Sequence, residues 1–345
     1  MAYTTINKST DHFDIRTYAA SGAGSISDVS FQPDFLWFKN RTVVGDHGLM
    51  DAVRGVNGII HSNDANAEVT SNGTTNVTAF TSNGFTYGAS SLIDTGSGTP
   101  CTWLWKANGT GSTNTNGSQN STVSANTAAG FSIVKYTGTG ANVTIGHGLG
   151  VAPKMIHIKG LGNANNWLTG GTNISSNWAS SLHLNTTAGI DTYNYWQNYA
   201  PNTNVFYMTS DGALNQSGID YIAYCFSDVQ GYSKCGSYTG NANADGTFIY
   251  TGFSPAYVML KRTDTAGERW NIKDNKRDGY NQTDPVLTAD STGAEYNDAQ
   301  MDLLSNGFKI RTSAISTNAS GGTYIYMAIA AAPLVGSNNV PANAR

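Results

Sequence analysis

The sequence is short of charge. Asp, Glu, Lys and Arg make up 12% of its 345 residues, about half the roughly 25% of an ordinary soluble domain. The net charge of −4 gives no attraction to phosphate backbones or anionic lipid, which excludes a basic nucleic-acid groove. Cysteine is scarce as well. Cys101, Cys225 and Cys235 are too few and too scattered for a disulfide framework or a thiolate metal site. Long apolar runs are missing, so no segment approaches the roughly 18 residues of a membrane-spanning helix. The first residues, Met1-Ala-Tyr-Thr-Thr-Ile-Asn-Lys-Ser, show no basic stretch leading into an apolar core, so no secretory signal is expected.

Polarity comes instead from 40 Thr, 36 Asn, 32 Ser and 39 Gly. Disordered chains share that bias, but they are poor in aromatics, and this one carries 18 Tyr, 12 Phe and 7 Trp. Thr, Tyr, Trp and Val suit pleated surfaces, and Gly, Asn and Asp suit tight turns. The composition predicts an all-β protein.

Three landmarks recur in the same order. A Tyr-led segment (Tyr18, Tyr136, Tyr238) precedes a proline (Pro33, Pro153, Pro255), and each proline is followed six positions later by a lysine (Lys39, Lys159, Lys261). A turn signal follows, at Asn83-Gly84, Asp211-Gly212 and Asn306-Gly307, each expected to form a hairpin. An aromatic or apolar strand closes each unit: Thr102–Lys106, Tyr221–Phe226 and Tyr324–Ile329. The reading is three tandem antiparallel β-sandwich repeats of about 100 residues, jelly-roll or concanavalin-like. Expected boundaries are an N-terminal arm (1–12), repeats at 13–107, 129–230 and 231–332, a flexible linker at 108–128, and a C-terminal arm (333–345). Each proline is expected at the start of a strand, where a missing N–H costs nothing. Phe35, Trp37 and Phe38, or Val258 and Leu260, are expected to cover a core face.

Motifs that carry chemistry fare poorly. Leu92-Ile-Asp94-Thr-Gly96 outlines an aspartic-protease half-site, but that chemistry needs a second carboxylate, and Asp290-Ser-Thr-Gly293 lacks the apolar lead-in. His12 with Asp14, or Asp46 with His47, could meet a metal, yet no histidine pair has zinc-protease spacing. Gly146-His-Gly-Leu-Gly150 lacks the following helix of a phosphate loop. Asn241–Gly252 ends in Gly where a calcium loop needs a bidentate Glu, and is expected to be a hairpin. No nucleophile, base and orienter assemble, so neither an enzyme, a metal nor a cofactor is expected.

Two features survive. Asp51-x-x-Arg54 and Asp274-x-x-Arg277 fall 18 and 19 positions after their prolines, suiting a turn-fixing ion pair or a polar-ligand site. The second proline-led unit lacks the pair. It carries instead an aromatic insertion, Tyr193-Asn-Tyr195-Trp196-Gln-Asn-Tyr199, whose flat faces suit receptor contact.

Several stretches resemble a family of marine bacteriophage proteins from phages of Pelagibacter-like bacteria and marine cyanobacteria. They are the opening residues 1–9, Phe31–Arg41, Val123–Val134, Gly231–Gly240, Asp274–Arg277 and Ala332–Pro341. The resemblance implies a virion component assembled in the host cytoplasm, with no catalytic residues to carry over. It implies virion proteins of the tail or capsid as partners, a host-surface glycan or protein as receptor, and a homo-oligomer. A tail-associated fibre or spike is the first expectation, a capsid decoration protein the second and a glycan-acting tail enzyme the third. Neither nucleic acid nor membrane insertion is expected.

Overall fold

The computed structural model describes residues 3–20, 22–70, 73–90 and 98–335. Strands carry the fold. Among the described residues the helical elements are a 3-10 turn (Ser9–Asp11) and two helices of four residues, Gly212–Asn215 and Ile315–Asn318.

Three large antiparallel sheets succeed one another along the chain. The six-stranded sheet runs Phe13–Thr17, Pro100–Trp105, Phe35–Asn40, Gly48–Asp51, Gly55–Ile60, Val69–Thr70. The seven-stranded sheet runs Ser112–Asn114, Ser121–Asn126, Phe131–Thr137, Asp220–Phe226, Met155–Gly160, Leu168–Gly171, Leu182–His183. The eight-stranded sheet begins Ser233–Thr239, Thr323–Pro333, Phe253–Arg262, Asn271–Asp274. It continues through Thr283–Thr288, Tyr296–Leu304 and Gly307–Ile310 to Phe248–Tyr250.

The strands after the three prolines hold matching registers. Phe35 sits between Trp105 and Asp51, Met155 between Phe226 and Gly171, and Tyr257 between Ile329 and Asp274. Pro33 and Pro153 precede their strands, as expected. Pro255 instead lies inside one, at a bulge, where the missing N–H breaks no ladder bond.

Both faces of these strands are buried, which is why they read as unbroken apolar runs rather than as alternation. In the six-stranded sheet Phe35, Trp37, Trp103 and Trp105 face a central core shared with the other two sheets. Leu36, Phe38 and Leu104 face outward, onto a cover sheet of Gly24–Ile26, Gly84–Tyr87 and Val77–Thr81. Phe38 therefore does not share a face with Phe35 and Trp37, because side chains alternate along a strand. In the seven-stranded sheet Met155, Tyr224 and Phe226 join the central core. Ile156, Ile158 and Ala223 pack under the pair Val143–Gly146 and Val205–Met208.

Several expectations need correction. Residues 108–128 are not a flexible linker: Ser112–Asn114 and Ser121–Asn126 are strands of the seven-stranded sheet, with Val123 packed inward. The N-terminal arm is docked, with Ile6 in the central core and the Tyr3 hydroxyl donating to Gly252 O at 2.7 Å. Hairpins form at Asn83-Gly84 and Asn306-Gly307, where a Cβ on either glycine would collide with the Ile26 or Ile249 carbonyl. Asp211-Gly212 instead opens a helix, its carboxylate accepting from Ala213 N at 2.8 Å.

The position matching Phe85 and Phe308 is Phe206, since Ile26, Ile249 and Ile145 are their respective cross-strand partners. The three phenylalanines follow their prolines by 52, 53 and 53 positions. Residues 240–247 do not form a hairpin. They connect strands Ser233–Thr239 and Phe248–Tyr250, which lie at opposite edges of the eight-stranded sheet. Asp94 and Gly96, and residues 336–345 of the expected C-terminal arm, lie outside the described residues.

Candidate functional site

The two Asp-x-x-Arg pairs build the junctions between large sheets. Each begins as a local turn: Asp51 Oδ1 accepts from the amides of Val53 and Arg54, and Asp274 Oδ1 from those of Lys276 and Arg277. The other carboxylate oxygen holds the guanidinium, Arg54 Nε to Asp51 and Arg277 Nε to Asp274, both at 2.6 Å. Each arginine also donates to a second carboxylate, Arg54 to Glu68 at 2.7 Å and Arg277 to Glu295 at 2.8 Å. A backbone carbonyl, Leu49 O or Ile272 O, takes a further guanidinium hydrogen bond.

Both turns reach the neighbouring sheet. The Tyr224 hydroxyl of the seven-stranded sheet donates to Asp51 at 2.8 Å. The Trp103 indole of the six-stranded sheet donates to Asp274 at 3.0 Å. Burial pulls Arg54 and Arg277 toward neutrality, but Asp51 and Asp274 beside them outweigh it and hold both above the usual arginine range. Asp274 is itself disfavoured by burial, yet Arg277 keeps it below the usual carboxylate range.

The third junction, between the seven- and eight-stranded sheets, has the same layout without the charges. By register, Gly171 takes the place of Asp51 and Asp274, and Met327 the place of Trp103 and Tyr224. Ile174 stands three positions after Gly171, as each arginine does after its aspartate, and packs against the central core. Backbone bonds nevertheless run through all three junctions: Glu68 N to Leu161 O, Glu295 N to Arg41 O, and Ile190 N to Thr263 O. Indoles repeat the pattern, Trp167 Nε1 donating to His61 O at 2.7 Å and Trp270 Nε1 to His183 O at 2.9 Å. His47 holds the matching position and lies beside the Thr288 carbonyl, which favours its proton, although burial keeps its pKa well below normal.

Lys39, Lys159 and Lys261, the lysines of the proline landmark, are fully buried. Each donates to loop carbonyls: Lys39 to Asn40 and Val43, Lys159 to Gly160 and Asn163, and Lys261 to Glu268. Burial lowers all three to about 8. They fasten the loops at one end of the sheets.

The aromatic insertion divides into a buried part and an exposed part. Trp196 is fully buried, its indole donating to Ser181 Oγ at 2.7 Å and its ring edge-on to Trp178. It is an anchor, which corrects its expected place among the contact residues. Tyr195 is half-buried, with its hydroxyl on Asp191 at 3.1 Å. Tyr193 and Tyr199 are 54% and 60% exposed, and Tyr199 lies against Tyr207 with ring centroids 5.3 Å apart.

Gln197 and Asn198 both adopt positive φ, near 58° and 57°. The Gln197 amide is pinned to Val143 O and Met208 O. Backbone in that region costs of order 1–3 kcal/mol for a residue other than glycine, and here it turns Tyr199 outward from a fixed base.

Neither of the histidine–aspartate pairings considered from the sequence forms. His12 accepts from Asn126, Asp14 pairs with Arg16, and His47 is sealed in the core. Asp46, His61 and Asp64 do converge, with His61 Nδ1 at 3.2 Å from Asp64 and 3.7 Å from Asp46. Asp290 of the second protease-like segment accepts from Trp270 N and pairs with Arg269.

The partners Glu68, Glu295, Tyr224 and Trp103 were not marked as site residues by the sequence. The glutamates follow their arginines at unequal distances, 14 and 18 positions. Trp103 and Tyr224 do sit in the recurring closing strands.

These features define an antiparallel all-β protein in which two of the three junctions between large sheets are built on buried carboxylates, guanidiniums and ring donors. The chain belongs to the family DUF7483, a domain of unknown function, whose model matches residues 8–333. No curated protein matches it. No helix among the described residues is long and apolar enough to cross a membrane.

Proposed function

We propose that the chain is a non-catalytic structural component of a virion, tail-associated, with a loop face that contacts the host surface. The observation that carries the reading is the use made of its buried charge. Asp51, Arg54, Asp274 and Arg277 bond to one another, to backbone and to the next sheet, an arrangement suited to mechanical rigidity. The resemblance to marine phage proteins supplies the virion context. Contact is assigned to Tyr193 and Tyr199, which the buried Trp196 holds in place. Immunogold labelling of intact particles tests the assignment: tail label supports it, and absence from purified virions refutes it.

A second reading, a capsid decoration protein, is favoured by one specific observation. Three junctions of one layout surround one core, and such a body suits a threefold seat on a shell. Label spread over the head would select it.

A further inference from the structure

We infer that the cleft between the six- and seven-stranded sheets binds a guanidinium group, as carried by an arginine side chain of a partner protein. This inference stands apart from the virion reading. It comes from comparing two junctions of the same molecule. Where the eight-stranded sheet meets the six-stranded one, Glu295 is held by two arginines. Arg277 Nη1 donates to it at 2.8 Å, while Arg41 Nε and Nη2 donate at 2.9 and 2.6 Å, gripping both carboxylate oxygens. Arg41 is thus an internal guanidinium seated on that carboxylate.

Glu68 occupies the matching place, its amide donating to Leu161 O as the Glu295 amide donates to Arg41 O. Arg41 and Leu161 also match, each two positions beyond its landmark lysine. Leucine offers no donor, so Glu68 keeps one guanidinium partner, Arg54 on Oε1, and its side chain is 26% exposed against 14% for Glu295.

A cleft of about 400 Å³ opens over this carboxylate. Val53, Leu161 and Ile219 give it aliphatic walls, and Asp220 supplies a second carboxylate, paired with Lys135 at 2.9 Å. Gly218 leaves one side open, since a Cβ there would meet nothing within 4 Å. The lining charges balance, Glu68 and Asp220 against Arg54 and Lys135, with Asp51 buried beneath Arg54, so recognition rests on the geometry at Glu68 rather than on an excess of charge. A flat guanidinium can lie along aliphatic walls while its edge makes parallel bonds to a carboxylate, which a compact ammonium cannot do.

The test is an NMR titration of the full chain with N-acetyl-argininamide, with N-acetyl-lysinamide as the comparison. The expected result is saturable shifts at the cleft, at least about tenfold weaker for the lysine probe and for Glu68→Gln. Because Glu68 also braces Arg54, Leu161→Arg provides a second variant, built to place an internal guanidinium as Arg41 does. It should fold and lose the arginine response. Absence of saturable shifts in the wild type, equal response to both probes, or undiminished binding by folded Leu161→Arg would overturn the inference.

Discussion

Trp103 and Asp274 stand 171 positions apart in the chain, yet the indole N–H of one donates to the carboxylate of the other at 3.0 Å. Tyr224 and Asp51 repeat the relationship 173 positions apart. At the third junction the ring donor gives way to Met327 and the carboxylate to Gly171. Acceptor and donor are thus present together or absent together. That is the pattern expected if an unpaired buried carboxylate is too costly to keep.

Asp274→Asn should therefore destabilise the protein by about 3–5 kcal/mol, because it removes the charge that faces buried Arg277. Trp103→Phe removes one hydrogen bond to that carboxylate and part of a buried ring but leaves the ion pair, and should cost less, about 1–3 kcal/mol. Urea denaturation followed by tryptophan fluorescence measures both. Equal losses would show that the ion pair does not dominate the junction.

Gly171→Asp tests the charge-free junction. A Cβ there meets the Lys154 carbonyl at 3.3 Å and Ile174 at 3.4 Å, tight contacts that add a pH-independent steric cost to the electrostatic one. Burial would raise the new carboxyl's pKa in the folded state. The unfolded chain then ionises first, so the penalty grows as pH rises above roughly 4 and is smallest below it. The double variant Gly171→Asp/Ile174→Arg should recover much of the loss at pH 7. If the two substitutions are merely additive, the three junctions are not interchangeable in design.

His157 predicts an acid-sensitive core. It lies edge-on to Phe226 and Trp270, and burial lowers its pKa to about 3. An unfolded histidine titrates near 6.5, so the unfolded state binds the extra proton first. Its stabilising contribution is complete above about pH 6.5 and is lost as pH falls toward 3, with a slope of at most about 1.4 kcal/mol per pH unit. His157→Met, which copies Met259 at the matching register, should flatten this part of the acid limb in a pH series of denaturation curves. An unchanged limb would mean that His157 is protonated in the fold.

Trp196→Ala and Tyr199→Ala should separate anchor from contact. The buried indole should cost about 3–5 kcal/mol when removed. The exposed tyrosine should change stability by less than about 0.5 kcal/mol. Adsorption of the purified protein to host cells should fall for Tyr199→Ala although its melting temperature holds. Unchanged adsorption would remove this face from the account.

Much of the fold could be read in the chain because its signals are local. Proline with its following lysine, Asn-Gly turns, and apolar closing strands each mark one element. Asp-x-x-Arg was legible as a turn because the aspartate caps the amides just after it. Its reach across to Tyr224 or Trp103 was not, since nothing in the spacing records which sheets meet. Trp196 misled for a related reason: an aromatic among Asn and Gln looks the same whether its ring points in or out. Residues 108–128 looked like a linker because Ser, Thr and Asn serve loops and edge strands alike, and only pairing with Phe131–Thr137 decides between them.

The most direct test of the structural role is cryo-electron microscopy of intact particles alongside immunogold labelling against this chain. The account predicts label on the particle, with density at the tail that fits three large sheets around one core. Purified, infectious particles that contain none of the chain would contradict it.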